Sequence, residues 1–120
     1  MSESDTQRAI VSALTTAGYT VLRHQSGLAR GWRGGRMVLC EPGTPDLSVT
    51  LAHGRVVWIE TKYGKGKTRK SQDEWHAKHA ALGHVIIVAR DAQATIDAVT
   101  LCANTAKRRT WWTEGRVQEC

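Results

Sequence analysis

Apolar positions near the start of the chain recur with helical spacing. Ile10, Val11, Leu14 and Ala17 share one side of a predicted helix over 3–17, with Ser4 and Gln7 as a capping box and Gly18 as the stop. Residues 19–24 are rich in β-formers and predict a strand. The glycine- and arginine-rich stretch 25–35 has no period and predicts a loop, and 37–40 predicts a second short strand closed by the turn residues Pro42, Gly43 and Pro45.

The pattern then becomes strictly alternating. Leu47, Val49 and Leu51 alternate with Asp46, Ser48 and Thr50, and after His53-Gly54 the chain resumes with Val56, Val57, Trp58, Ile59, Glu60, Thr61 and Lys62. This is the signature of a β-hairpin. Directly opposed residues share a face of the sheet, so the apolar odd-numbered residues of the first strand must meet Val57 and Ile59. A loop of Ala52, His53 and Gly54 satisfies that parity; it sets Leu51 opposite Arg55, Leu47 opposite Ile59, and Asp46 opposite Glu60. Lys62 then projects from the same side as Glu60, about 6.5–7 Å further along. Trp58 and Val56 lie on that side too, which predicts that packing covers part of the face and leaves only the end with Asp46, Glu60 and Lys62 open.

Ser71 and Glu74 form a capping box for a helix over 72–82, with Trp75 and Leu82 available for packing and Gly83 as its end. The apolar run 84–89 reads as a strand buried on both faces, and Asp91 caps a last helix carrying Ile96, Val99 and Ala103. Residues 110–120, with Trp111 and Trp112, fit either a strand or an interface arm. The predicted order makes an α/β sandwich around a mixed sheet, in a single domain over 1–120.

Composition narrows the class. At 41% hydrophobic and 23% charged residues, the chain of 120 can bury one core, which excludes disorder. No apolar stretch reaches the ~18 residues that span a bilayer, and Glu3 and Asp5 stand where a secretory signal needs positive charge. A protein of the cytoplasm is expected. Cys40, Cys102 and Cys120 form no CxxC pair and are expected to be reduced thiols.

The 17 Lys and Arg against 11 Asp and Glu leave a formal charge of +6, and the basic residues cluster. Arg30, Arg33 and Arg36 surround Trp32 in the glycine-rich stretch; Lys62, Lys65, Lys67, Arg69 and Lys70 crowd a second; Lys107, Arg108 and Arg109 form a third. Phosphate is the partner such clusters fit.

Two carboxylates held side by side repel unless a cation or a shared proton relieves them. All-oxygen ligands without a nearby thiolate suit Mg²⁺ or Mn²⁺. Such an ion can polarise a phosphodiester oxygen while the Lys62 ammonium orients water or offsets charge at phosphorus. An Asp after Pro, or a Glu-x-Lys on a strand, is by itself usually a solvated feature; here both occur together beside basic loops. His76 and His79 share a helical face, but no third metal ligand accompanies them, and packing is the commoner use of such a pair.

Gly43-Thr44-Pro45-Asp46-Leu47, Trp58-Ile59-Glu60-Thr61-Lys62, Lys65-Gly66-Lys67, Ser71-Gln72, Trp75-His76, Gly83 and the run 85–89 together resemble the VRR-NUC branch of the PD-(D/E)xK nuclease superfamily. Residues 3–7 and 23–27 are similar to that family's first helix and to the Ser-Gly loop after its first strand, which brings in Ser26. The resemblance covers most of the chain. It implies an αβββαβ core with a mixed central sheet flanked by helices. It further implies Mg²⁺ or Mn²⁺ held by Asp46, Glu60 and the Thr61 carbonyl, with Glu3 completing the site, and Lys62 as the catalytic amine with Gln72 near the reacting phosphate. By the same resemblance the substrate is structured DNA, four-way junctions above all, cut by a homodimer. DNA contacts are then expected from Ser26, Arg30, Arg33, Arg36, Lys65, Lys67 and Arg69. A restriction-type, single-strand or flap nuclease on the same core, and a DNA-binding module that does not cut, are the rival expectations.

Overall fold

The computed structural model describes residues 2–25, 28–30, 36–38 and 40–106, with 28–30 and 36–38 described by their backbone. In chain order these form α1 (Glu3–Thr16), β1 (Thr20–Arg23), β2 (Leu28–Arg30), β3 (Arg36–Val38), β4 (Leu47–Thr50), a 3₁₀ turn (Ala52–Gly54), β5 (Val56–Thr61), α2 (Lys70–Ala81), β6 (Val85–Ala89) and α3 (Ala92–Ala106). The main sheet has the order β1-β4-β5-β6, antiparallel except where β6 runs parallel to β5, so the fold is α/β with a four-stranded mixed sheet and three helices.

The hairpin has the register that parity predicts. Leu47 pairs with Ile59, Ser48 with Trp58, Val49 with Val57 and Thr50 with Val56, and the Leu51 N–H donates to the Arg55 carbonyl across the turn at 2.8 Å. His53 and Gly54 both take positive φ, 66° and 72°, to close that turn. The odd-numbered face is the core. Leu47, Val49, Val57 and Ile59 are wholly buried there with Ile10 and Leu14 of α1, Val99 and Cys102 of α3, and Ala89 of β6. Arg55 is buried at the margin of this layer and donates from Nη1 to the Cys102 carbonyl at 3.1 Å. Cys40 and Cys102 are free thiols.

Four expectations require correction. The box that caps α1 uses Ser2 and Asp5: the Asp5 N–H donates to Ser2 Oγ at 3.2 Å, and the Ser2 N–H to the Asp5 carboxylate at 3.0 Å. Ser4 and Gln7 have the same spacing, but Gln7 is turned toward the sheet. The cap of α2 is likewise earlier than Ser71, at Arg69, whose N–H donates to Gln72 Oε1 at 2.7 Å. The stretch expected to be a loop contains β2, which pairs with β3 as a separate two-stranded sheet; local hydrophobic period carries no trace of it, because a three-residue strand is too short to show one. Finally, β6 is not buried on both faces, since Val88 remains 41% exposed on the even-numbered side beside Glu60.

Asp91 caps α3 as expected, accepting from the Ala94 N–H at 2.9 Å. Gly18 and Gly83 follow α1 and α2 with φ of 97° and 91°, the left-handed geometry that ends a helix. Among the described residues, no helix is long and apolar enough to cross a membrane.

Candidate active site at the end of the hairpin

The even-numbered face of the sheet is polar at one end and aromatic in the middle. Trp58 meets Trp75 of α2 edge-on at 5.1 Å and His24 at 5.4 Å, while His24 Nε2 and Ser48 Oγ share a hydrogen bond of 2.7 Å. Trp75 stacks in turn on His79 at 3.6 Å. These rings cover the middle of the face, as the positions of Val56 and Trp58 predict. The ladder stops at Leu47 and Ile59, so Asp46 lies in a bend one residue beyond it. Asp46 still reaches the end of β5: its Oδ1 accepts the Thr61 N–H at 3.0 Å, and its charge is felt by Glu60.

The end of the face expected to be open is covered as well: Glu60 and Lys62 are 3% and 5% exposed, an unusual depth for either side chain. Burial first, and then the neighbouring Asp46 carboxylate, push the Glu60 carboxyl up to about 7, while Lys62 works in the opposite direction. Burial also raises Asp46, against the hydrogen bonds it accepts from Thr61 and Gln7. Glu60 Oε1 is buried and has no hydrogen-bond partner. His76 Nε2 of α2, itself buried without a hydrogen bond, lies 3.8 Å from it.

Helix α1 adds two residues one turn apart. Gln7 hydrogen bonds the Asp46 carboxylate, and Glu3 is exposed in the first turn yet close enough for its charge to act on Glu60. Gln72, at the third position of α2, spends its carbonyl oxygen on the Arg69 N–H, which leaves its amide N–H groups as donors. Thr61 is fully buried at the end of β5.

Beyond Lys62 the chain turns through Gly64, with φ of 58°, and the Gly66 N–H donates to the Tyr63 carbonyl at 3.0 Å. Arg90, just past β6, donates from Nη1 to the carbonyls of Gly64 and Gly66 at 2.8 and 2.7 Å. Lys65, Lys67 and Arg69 are exposed on this loop. Arg30 and Arg36 face each other as backbone partners in the β2–β3 ladder. Ser26, Trp32, Arg33 and the segment 107–120 lie outside the described residues.

The structure therefore brings Asp46, Glu60 and Lys62 to one region, with Glu3 at its margin; Gln72 lies on α2 one turn before His76. It separates His76 from His79: the former faces Glu60, while the latter stacks on Trp75 and approaches His84 at 6.0 Å. Sequence reasoning missed Gln7, although its spacing of four from Glu3 puts both on one side of α1. It also missed the pairing of His76 with Glu60, for which no local signal exists.

A hard divalent cation suits this donor set. A buried carboxylate next to a second carboxylate is what a cation would complete, and neither partner is a thiolate. Among the described residues no three His, Cys, Asp or Glu side chains form a ready-made metal cage. Mg²⁺ characteristically does without one, taking one or two carboxylates with waters and substrate phosphate. No family model matches the sequence, and no curated protein matches it.

Proposed function

We propose that this chain is a Mg²⁺- or Mn²⁺-dependent endonuclease of the PD-(D/E)xK superfamily, of the VRR-NUC branch, acting on structured DNA. The observation that carries this reading is the buried Glu60 carboxylate within electrostatic reach of Asp46 and Lys62. The order of the main sheet and its helices supports it: with β2 and β3 set aside, the chain runs helix, three antiparallel strands, helix, parallel strand. The αβββαβ order that the motif resemblance implies has the same succession, and α3 follows it here.

In this reading Asp46 and Glu60 hold the cation with the Thr61 carbonyl, and Glu3 adds charge from α1. When bound, the cation supplies Lewis acidity toward a phosphodiester oxygen and makes nearby water more acidic. Lys62 is kept almost dry, so its ammonium acts in a low dielectric on the charge that grows at phosphorus. Gln7 and the Thr61 N–H hold the Asp46 carboxylate in orientation. The Gln72 amide donates toward a nonbridging phosphate oxygen from the start of α2, where the helix dipole also favours an anion. Lys65, Lys67 and Arg69, with Arg30, Arg33, Arg36 and Ser26, neutralise the flanking backbone.

A four-way junction is the substrate this reading favours, with two copies of the chain presenting two sites to a two-fold target. The test is incubation with labelled junction, flap, duplex and single-stranded DNA in Mg²⁺, Mn²⁺ or EDTA. Paired nicks near the branch that vanish in EDTA support a junction nuclease. Cutting confined to flaps or single strands moves the assignment to that class, and tight binding without cutting under any metal makes the chain a binding module.

A further inference from the structure

His76 Nε2 and Glu60 Oε1 face each other at 3.8 Å, buried, each without a hydrogen-bond partner. Two orphaned atoms in one buried gap are uncommon, because nearly all buried polar groups find partners. The separation exceeds the 2.7–3.2 Å range of an N–H···O hydrogen bond by about half an ångström. Both ends are anchored. Glu60 belongs to the central strand β5, and the His76 ring stands edge-on to Trp75 at 6.4 Å, whose indole is wedged against Trp58. Both atoms are shut off from solvent, and a small rotation of the Glu60 carboxylate would close the gap.

We propose that His76 is the positioning residue of Glu60: with a cation bound, its Nε2–H donates to Glu60 Oε1 and turns the other carboxylate oxygen to the cation. The inference rests on the metal site proposed above. Carboxylates that ligate metals are commonly fixed by such a second hydrogen bond, and its loss costs about 10–100-fold in metal affinity. Direct ligation of the cation by His76 is the rival arrangement, and the position of the imidazole proton distinguishes the two.

The test is Mn²⁺ titration of the whole chain, followed by the free-ion electron paramagnetic resonance signal, for wild type, Asp46→Asn, His76→Leu and His76→Gln. The wild type should bind and Asp46→Asn should not. His76→Leu should bind about 10–100-fold more weakly, and His76→Gln, whose amide can donate from a similar position, should recover most of that affinity. In the wild type, nitrogen-15 spectra of the imidazole in saturating Mg²⁺ should show the proton on Nε2, a readout that does not depend on either variant folding. Unchanged affinity in His76→Leu overturns the proposal, as does His76→Gln binding no better than His76→Leu. A cation-ligated, unprotonated Nε2 overturns it in favour of direct ligation. Absence of saturable binding in the wild type removes the metal site itself, and this inference with it.

Discussion

The Thr61 N–H donates to Asp46 Oδ1 at 3.0 Å, tying the residue just before β4 to the last residue of β5. This bond closes the hairpin ladder at the end opposite its turn, with a side chain in place of a backbone carbonyl. It fixes one acid beside the other, and Gln7 of α1 holds the same carboxylate. Asp46→Asn retains an acceptor for the Thr61 N–H. We expect this variant to keep its thermal midpoint within a few degrees and to lose Mg²⁺ binding by calorimetry; retained binding would remove Asp46 from the site.

Glu60 makes the metal-free protein sensitive to pH in a direction that can be worked out. Its carboxyl holds a proton up to about 7 in the folded chain, against an ordinary value of 4.5. Between those values the folded state binds more protons than the unfolded one, so this group's contribution to stability falls as pH rises. The full cost, about 3 kcal/mol, applies above about pH 7. Glu60→Gln escapes it. In EDTA the variant should be more stable than wild type at about pH 8, with the advantage fading toward pH 4. Urea unfolding at the two values checks this, and a difference independent of pH would contradict it. Saturating Mg²⁺ should reverse the order at the higher pH, because only the wild type gains from binding.

Lys62 is buried, so truncation to Ala would confound charge with packing. Lys62→Met preserves the apolar stem and removes the ammonium. Cation and DNA binding should survive while cleavage falls by about 10²–10³-fold, the reduction typical of removing one electrostatic donor. Cleavage at the wild-type rate would take the amine out of the mechanism.

Gly43 is held with φ of 92°, and a Cβ there would lie 2.1 Å from the Ser71 carbonyl oxygen, a backbone atom. Gly43→Ala therefore combines left-handed strain with a clash that no side-chain rotation relieves. We expect a destabilisation of about 3 kcal/mol in urea unfolding. A variant as stable as wild type would mean that the 41–46 turn can draw back from α2 at little cost.

Removing Lys65 or Lys67 should weaken DNA binding and lower the slope of log affinity against log salt by about 0.9 for each phosphate no longer neutralised. An unchanged slope for both would show that the loop does not touch the backbone of DNA.

The hairpin was legible because alternation and loop length fix parity, and parity predicts that Asp46, Glu60 and Lys62 gather at one end, although Asp46 reaches β5 from a bend just outside the ladder. Positions of caps were less legible. Ser2-x-x-Asp5 and Ser4-x-x-Gln7 satisfy the same local rule, and the choice falls to Asp46, distant in sequence, which engages Gln7. The facing of His76 and Glu60 was not legible at all, because it depends on the angle at which α2 crosses β5 and β6. Val88 departs from expectation for a related reason: an apolar run shows that a strand packs on a core, without showing that its second face is covered, and β6 is the edge strand of the sheet.

Arg90 grips the carbonyls of Gly64 and Gly66 from the far end of β6. A glycine-containing linker of this kind would ordinarily sample many shapes, and a polyanion would have to select one of them at an entropic penalty. Here a guanidinium standing on a finished strand sets the curvature in advance. Lys65 and Lys67 thus behave as teeth on a rigid comb, spaced before any partner arrives.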